Sequence, residues 1–194
     1  PKYDKFFAAL KKNKKINFHT LGTLVNWIKG IEIGGKEYLE DGDFPFIRVS
    51  NITTKGFNFT SAKYVKPTTF NKLKNHQVKK GEILFSKDGT AGIAYFIRED
   101  IKAINSSGVL RLTNFSKLPN EYIELVLNSP VVQIQIEQKM SGALIQHLKV
   151  TEAMKFIIPE ISSVKNVSNK IANAFAAKTK NNLLLETAKR AVEI

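Results

Sequence analysis

Cysteine is absent from the chain. That excludes a disulfide framework, a thiolate zinc site and a cysteine nucleophile. Arginine is scarce: only Arg48, Arg98, Arg111 and Arg190 occur, so lysine supplies nearly all the basic charge. Long apolar runs are missing too. No window approaches the roughly 20 residues of a membrane span, and no unbroken apolar run of the secretory-signal kind follows the Lys-rich start. There is no Gly-x-Gly-x-x-Gly, no phosphate-loop motif and no Asn/Asp-Pro-Pro-aromatic motif of adenine-modifying enzymes. His19, His76 and His147 stand far apart, without metal-ligand spacing. Ser162-x-x-Lys165 matches a penicillin-binding motif in form only. It lacks the companion motifs and sits where a helix begins, so a capping role is expected. Asp41 and Asp43 flank Gly42 in an acidic turn, where solvation is the expected role. Nothing here assembles a catalytic constellation.

What is present is charge and apolar bulk. The 194 residues suit one domain of ordinary size plus one extra element, and 43% hydrophobic content supports a sizeable core. Lys plus Arg number 30 against 17 acids, a net charge of +13. Such a surplus points to a polyanionic partner; the bland alternative is an AT-rich coding sequence. Distribution favours the first. Ser61 to Gly81 carries six lysines and no acid, whereas acids gather at Glu32, Glu37, Glu40, Asp41 and Asp43. Segregation of this kind predicts a basic face.

Tyr3, Phe6, Phe7 and Leu10 fall on one helical face and predict a helix over Lys2–Lys11, within an N-terminal linker of residues 1–16. A body of residues 17–161 follows. From Phe18 to about Leu112, short apolar runs recur between Gly, Asn, Asp and Pro: Phe46–Val49, Glu82–Phe85, Ile93–Ile97 and Val109–Leu112. Each has strand length and β-branched or aromatic content. A small curved sheet is expected, with turns at Lys87-Asp88-Gly89 and Glu40 to Asp43 and a short helical turn over Thr68–Leu73. After Pro119 the period becomes helical. One helix runs to Asn128-Ser129, a second from Pro130 to Met140, and Thr151 caps a third, short one. Phe156–Pro159 is a last strand. From Ser162 or Ser163 to Ile194 there is neither Pro nor Gly, which predicts one helix of about 50 Å. Its stripe of Val164, Val167, Ile171, Phe175, Leu185, Ala188 and Val192 needs a surface to cover it: a partner helix or the β body. The fold class is α+β.

The chain resembles the DNA specificity subunits of type I restriction–modification systems. Five pieces carry the likeness, in the family's order: Leu21-Gly22-x-Leu24; Phe44-Pro45-Phe46-Ile47-Arg48-Val49-Ser50-Asn51-Ile52; Lys80 to Gly92 with Lys87-Asp88-Gly89-Thr90 at its turn; Asn105-Ser106-Ser107-Gly108-Val109; and Ser141-Gly142-Ala143-x-Ile145-Gln146-His147-Leu148. Phe156–Pro159 and the long helix close the set. The resemblance implies a β-rich target recognition domain followed by a coiled-coil helix over residues 162–194, in a cytoplasmic prokaryotic protein. It implies double-stranded DNA, methyltransferase and restriction subunits, and a second recognition half as partners. It also implies that this chain holds no cofactor, S-adenosylmethionine, Mg2+ and ATP belonging to the partner subunits. One domain and one helix leave three arrangements open: half of a subunit, a half-length subunit that dimerises, or the tail of a fused single-chain enzyme.

In such a domain, lysines grip phosphates and loop side chains meet base edges. The expected grips are Lys63, Lys66, Lys72 and Lys74. The expected readers are Arg48, Asn51, Lys87, Asp88, Thr90, Asn105, Ser106, Gln146, His147 and Lys149. Arg suits guanine, Asn and Gln suit adenine, and Asp accepts from cytosine. Each has a structural alternative, since Asn51 and Asp88 also make side-chain turns and Ser106 suits ordinary turn chemistry. Tyr38, Tyr64 and Tyr95 could stack bases on an RNA-binding sheet, but a core role is expected for them.

Overall fold

The computed structural model describes residues 7–8, 12–140 and 147–192, the side chain of residue 192 excepted. The helix expected over Lys2–Lys11 lies outside these residues apart from Phe7 and Ala8, which are helical. Among the described residues, twelve strands and five further α-helices follow in chain order. The strands are β1 (Asn17–Thr20), β2 (Val25–Lys29), β3 (Tyr38–Leu39), β4 (Pro45–Ile47), β5 (Ile52–Thr53), β6 (Gly56–Phe57), β7 (Lys63–Val65), β8 (Ile83–Ser86), β9 (Ala94–Phe96), β10 (Ile104–Asn105), β11 (Val109–Asn114) and β12 (Ile157–Glu160). The helices are α1 (Pro67–Lys72), α2 (Asn120–Asn128), α3 (Pro130–Met140), α4 (Val150–Ala153) and α5 (Val164–Val192). The class is α+β, as the patterning predicts.

The single curved sheet is a correction. Two four-stranded sheets form, in the orders β2-β11-β8-β9 and β10-β4-β7-β3, with two-stranded ribbons β1-β12 and β5-β6. Alternation marks strands but not their partners, so the split was not legible. Val49 also leaves the strand expected over Phe46–Val49 and opens a 3-10 turn, Val49–Asn51. Lys149 rather than Thr151 occupies the cap of α4.

β8 explains the architecture. Its four residues are all buried. Ile83 and Phe85 join the main core with Leu110, Leu112, Tyr122 and Leu127, while Leu84 faces a second cluster with Ile47, Val78 and Val109. A strand covered on both faces reads as a continuous apolar run, which is what the sequence shows. Helices α2 and α3 cover the first face. The β10-β4-β7-β3 sheet and the Asn75–Val78 segment lie toward the second. Ribbon β1-β12 pairs Asn17 with Glu160 and Thr20 with Ile157, joining the two ends of the body.

Arg111 alone among the inward positions of β11 is charged. It is 1% exposed. Its guanidinium donates to the carbonyls of Gln77 and, at 2.8 Å, Asn75, and its Nε lies 3.7 Å from Glu82. Glu82 in turn accepts from the Lys79 backbone N–H at 2.9 Å. Gln77 bridges to Ile104 of β10 and donates its amide to the Phe70 carbonyl. One side chain thus ties the first sheet to the loop that carries the second.

Arg111→Leu should leave two carbonyls buried without their donor and the Glu82 carboxylate buried without its countercharge. We expect a loss of about 3–5 kcal/mol in urea unfolding. Adding Glu82→Gln should restore part of it, because an uncompensated charge costs more than a missing pair.

Candidate nucleic-acid interface

Loops from both sheets converge on one open groove of about 420 Å³, lined by Arg48, Ser50, Asp88, Gly89, Ser106 and Ser107 among others. Arg48 follows β4, Asp88 and Gly89 follow β8, and Ser106 follows β10. The backing is rigid. The Ser106 N–H donates to the Ile47 carbonyl at 2.8 Å and the Lys87 N–H to the Gly108 carbonyl at 2.9 Å. Gly30 packs directly behind: a Cβ there would lie 2.1 Å from the Ser106 carbonyl oxygen, which no side chain tolerates. Gly89 sits at φ +57°, the left-handed conformation that a tight turn at the groove's lip requires of glycine.

A linked trio holds the lip. Lys87, 8% exposed, places its Nζ 2.7 Å from both Asp88 carboxylate oxygens. His147 Nδ1 lies 2.8 Å from Asp88 Oδ1, and the Leu148 N–H donates to the Lys87 carbonyl at 2.8 Å. The side chains of this trio and the backbone pairing of Asp88 with His147 bring the 147–149 segment to the turn after β8. Burial raises the Asp88 carboxyl pKa, but the hydrogen bonds and charges of His147 and Lys87 outweigh it and hold the group below its ordinary 3.8.

The candidate readers therefore separate. Arg48 and Ser106 line the groove, exposed Thr90 follows its Gly89, and the His147 ring, bonded to its Asp88, is 62% exposed. The Thr90 hydroxyl bonds to no other described residue, and Lys149 is exposed. Asn51 and Asn105 take the structural alternative. Asn51 is 1% exposed, accepting from the Arg48 N–H and donating to the Asn58 carbonyl. Asn105 is fully buried and donates to the Val109 carbonyl. Lys87 and Asp88 are engaged with each other. Gln146 lies outside the described residues. Ser107 and Glu32, joined at 2.6 Å across the groove, were missed. Ser107 lies inside a quoted motif, but Glu32 carries no local signal at all.

Among the lysines, Lys72 and Lys74 are exposed and Lys66 half-buried around α1, and Lys63 pairs with Glu40 at 2.5 Å. β7, which carries Lys63, pairs directly with β4, and the Arg48 guanidinium donates to the Ser61 carbonyl at 2.5 Å. The lysine band and the groove therefore share a sheet. No group of three or more His, Asp and Glu residues close enough to hold a metal occurs among the described residues.

Helix α5 divides in two, its first half covered by the body. Val164 and Val167 pack against the main core of this same chain. Phe175 lies under Arg98, whose guanidinium carbon is 3.6 Å from the ring centroid and whose Nη2 reaches Glu124 at 2.5 Å. Ile171 is half-buried between them. Lys178 then donates to the Lys55 carbonyl at 2.5 Å, and from there through Ala191 every residue of the helix is exposed. Leu183, Leu184 and Leu185 are 67%, 59% and 53% exposed, and Ala188 is exposed as well. No helix among the described residues is long and apolar enough to cross a membrane.

Residues 11–192 match the protein family described as Type I restriction modification DNA specificity domain. No curated protein matches the chain. Among solved structures, the type I restriction–modification S subunit from M. genitalium is similar with a TM-score of 0.60 and 17% identity, over 97% of this chain and 47% of that one. The HsdS subunit from Thermoanaerobacter tengcongensis is similar with a TM-score of 0.57 and 14% identity, over 87% and 40%. A chain from a study of complex assembly and conformational transition of the type I R-M system gives 0.52 and 13%, over 92% and 44%. The chain thus spans less than half the length of each, and the likeness is one of fold.

Because the folded Asp88 pKa lies below its unfolded value, its contribution to stability is complete above about pH 4 and is lost as the pH falls through the folded pKa. Asp88→Asn should remove that acid-side component, giving an unfolding free energy that falls less between roughly pH 5 and pH 2. At neutral pH the same change strands the buried Lys87 ammonium and should cost about 3 kcal/mol. Urea unfolding at several pH values reads both effects.

Proposed function

The chain belongs to the Type I restriction modification DNA specificity domain family, and on that premise we propose that it is the module that reads double-stranded DNA sequence for a restriction–modification enzyme. The carrying observation is the groove into which loops from two sheets are fixed by backbone hydrogen bonds, with Lys72 and Lys74 exposed on the same body. Loops held this way present side chains with little ordering left to do on binding. Lys66, Lys72 and Lys74, with Lys63, grip phosphates and set the register. Arg48, Thr90, Ser106, Gln146, His147 and Lys149 meet base edges or the adjacent backbone.

The chemistry belongs elsewhere. Methylating a base in duplex DNA requires flipping it from the stack, and in this reading that task, with S-adenosylmethionine, falls to a methyltransferase subunit. Cleavage, with ATP and Mg2+, falls to restriction subunits. The outer half of α5 supports attachment to them. Three consecutive exposed leucines at 100° per residue span about 200° of the helix surface, more than a two-helix seam covers. A second recognition half and a partner subunit together supply enough helical surface.

Two measurements test this reading. Lys72→Gln with Lys74→Gln should weaken every duplex alike and flatten the salt dependence of binding by about one unit of slope per lost contact. Thr90→Ala should leave the slope unchanged and cost ~1–3 kcal/mol at one base pair only. Identical profiles for the lysine and threonine variants would overturn the division. Separately, Leu183→Asp with Leu185→Asp should leave the unfolding free energy of the body unchanged and abolish assembly with the methyltransferase subunit in light scattering.

A further inference from the structure

His147 holds an unusual position at the groove. Its Nδ1 is 2.8 Å from Asp88 Oδ1, its ring is 62% exposed, and its second nitrogen bonds to no other described residue. The partner on the bonded side decides what the free side can do. Asp88 is an ionised carboxylate, a pure acceptor, and Lys87 at 2.7 Å from both oxygens keeps it so. The ring proton of neutral His147 must then sit on Nδ1, and Nε2 carries a lone pair. Protonating the ring turns Nε2 into a donor while leaving the Asp88 bond in place.

We propose that His147 is a specificity-determining side chain whose Nε2 accepts from an exocyclic base amine when the ring is neutral and loses or inverts that preference when it is protonated, with Asp88 as the positioning residue that sets the tautomer. This rests on the DNA-reading function above. In the major groove the exocyclic donors are the adenine N6 and cytosine N4 amines; guanine offers N7 and O6, and thymine O4, as acceptors. A neutral His147 therefore selects adenine or cytosine, and a protonated one guanine or thymine. The code at this one position therefore depends on the protonation state of the ring.

The charged groups around the ring are few. Asp88 and Lys87 hold it from the turn after β8. Lys149 lies two residues along its own segment. Arg48 and Glu32 line the groove that Asp88 also lines. Glu152, in the α4 turn that follows, is engaged with Lys139 and Lys155 at 2.7 and 2.8 Å. Among the described residues, Asp88 is the one acid bonded to the ring.

The test selects a preferred duplex from a random library, then measures binding of the intact protein to its single-base variants at about pH 8 and about pH 5.5. The wild type should favour adenine or cytosine at one base pair by ~10-fold at the higher pH. At the lower pH that preference should vanish or pass to guanine or thymine, while preferences at other positions persist. His147→Ala should abolish both the preference and its pH dependence at that pair. Asp88→Asn, which removes the demand for a proton on Nδ1, should weaken the preference at the same pair only. Since the pH comparison uses unaltered protein, it decides even if a variant folds poorly. Preferences that are the same at both pH values overturn the proposal and leave the DNA-reading function standing. A uniform tightening on every duplex at low pH, with the salt slope steeper by about one unit, marks a phosphate contact and also overturns it. Failure to prefer any duplex at either pH overturns both readings.

Discussion

The body depends on one buried charge. Arg111 sits on β11, which pairs with β2 and β8, and its guanidinium leaves that sheet to hold the Asn75–Gln77 segment, which bridges to β10. Removing a guanidinium from water is costly unless its donors are engaged. Two carbonyls accept from it here and Glu82 supplies a countercharge 3.7 Å from its Nε, and all three lie on the same connecting loop. The interaction is thus satisfied only when the two sheets stand in one relation. An apolar contact would tolerate sliding; a set of directed hydrogen bonds does not. Because Arg48 and Ser106 come from one sheet and the Asp88 turn from the other, the groove inherits its shape from this lock.

The groove also shows how much of a site a sequence reveals. Elements defined by local physics were legible. Asn128-Ser129-Pro130 ends one helix and begins the next, and the unbroken run without Pro or Gly becomes α5. The β8 run was legible as a strand because its apolar content is continuous. Pairing was not, because Gln77 finds Ile104 and Asp88 finds His147 across stretches of chain that no periodicity spans. Motif membership proved an uneven guide to role. Asn51 and Asn105 lie inside two conspicuous motifs, yet their amides bind the chain's own backbone, whereas Thr90 and His147 in neighbouring motifs remain accessible. A motif marks where the fold is constrained, and the constraint is as often a turn as a contact. Glu32 shows the converse: it reaches the groove with no motif at all.

Lysine-rich composition has a similar double meaning. Exposed Lys72 and Lys74 are placed to attract a polyanion without specifying its sequence, while Lys87 is buried against Asp88 and Lys178 is tied to the Lys55 carbonyl. Net charge alone counts these residues equally. Only the fold separates those that face solvent from those that fasten one loop or helix to another.

The docking of α5 has a mechanical consequence. The helix is clamped to the body by Val164, Val167 and the Arg98–Phe175 stack, and its last tie is at Lys178. Some 14 residues project beyond that point, a rigid arm of about 20 Å. A tilt of roughly 5° at the clamp would carry the arm's tip by about 2 Å, more than one residue's rise along a helix and about half the spacing along a strand. Whatever grips the leucines midway along the arm is therefore geared to the orientation of the body, and the gear ratio is set by where the clamp ends.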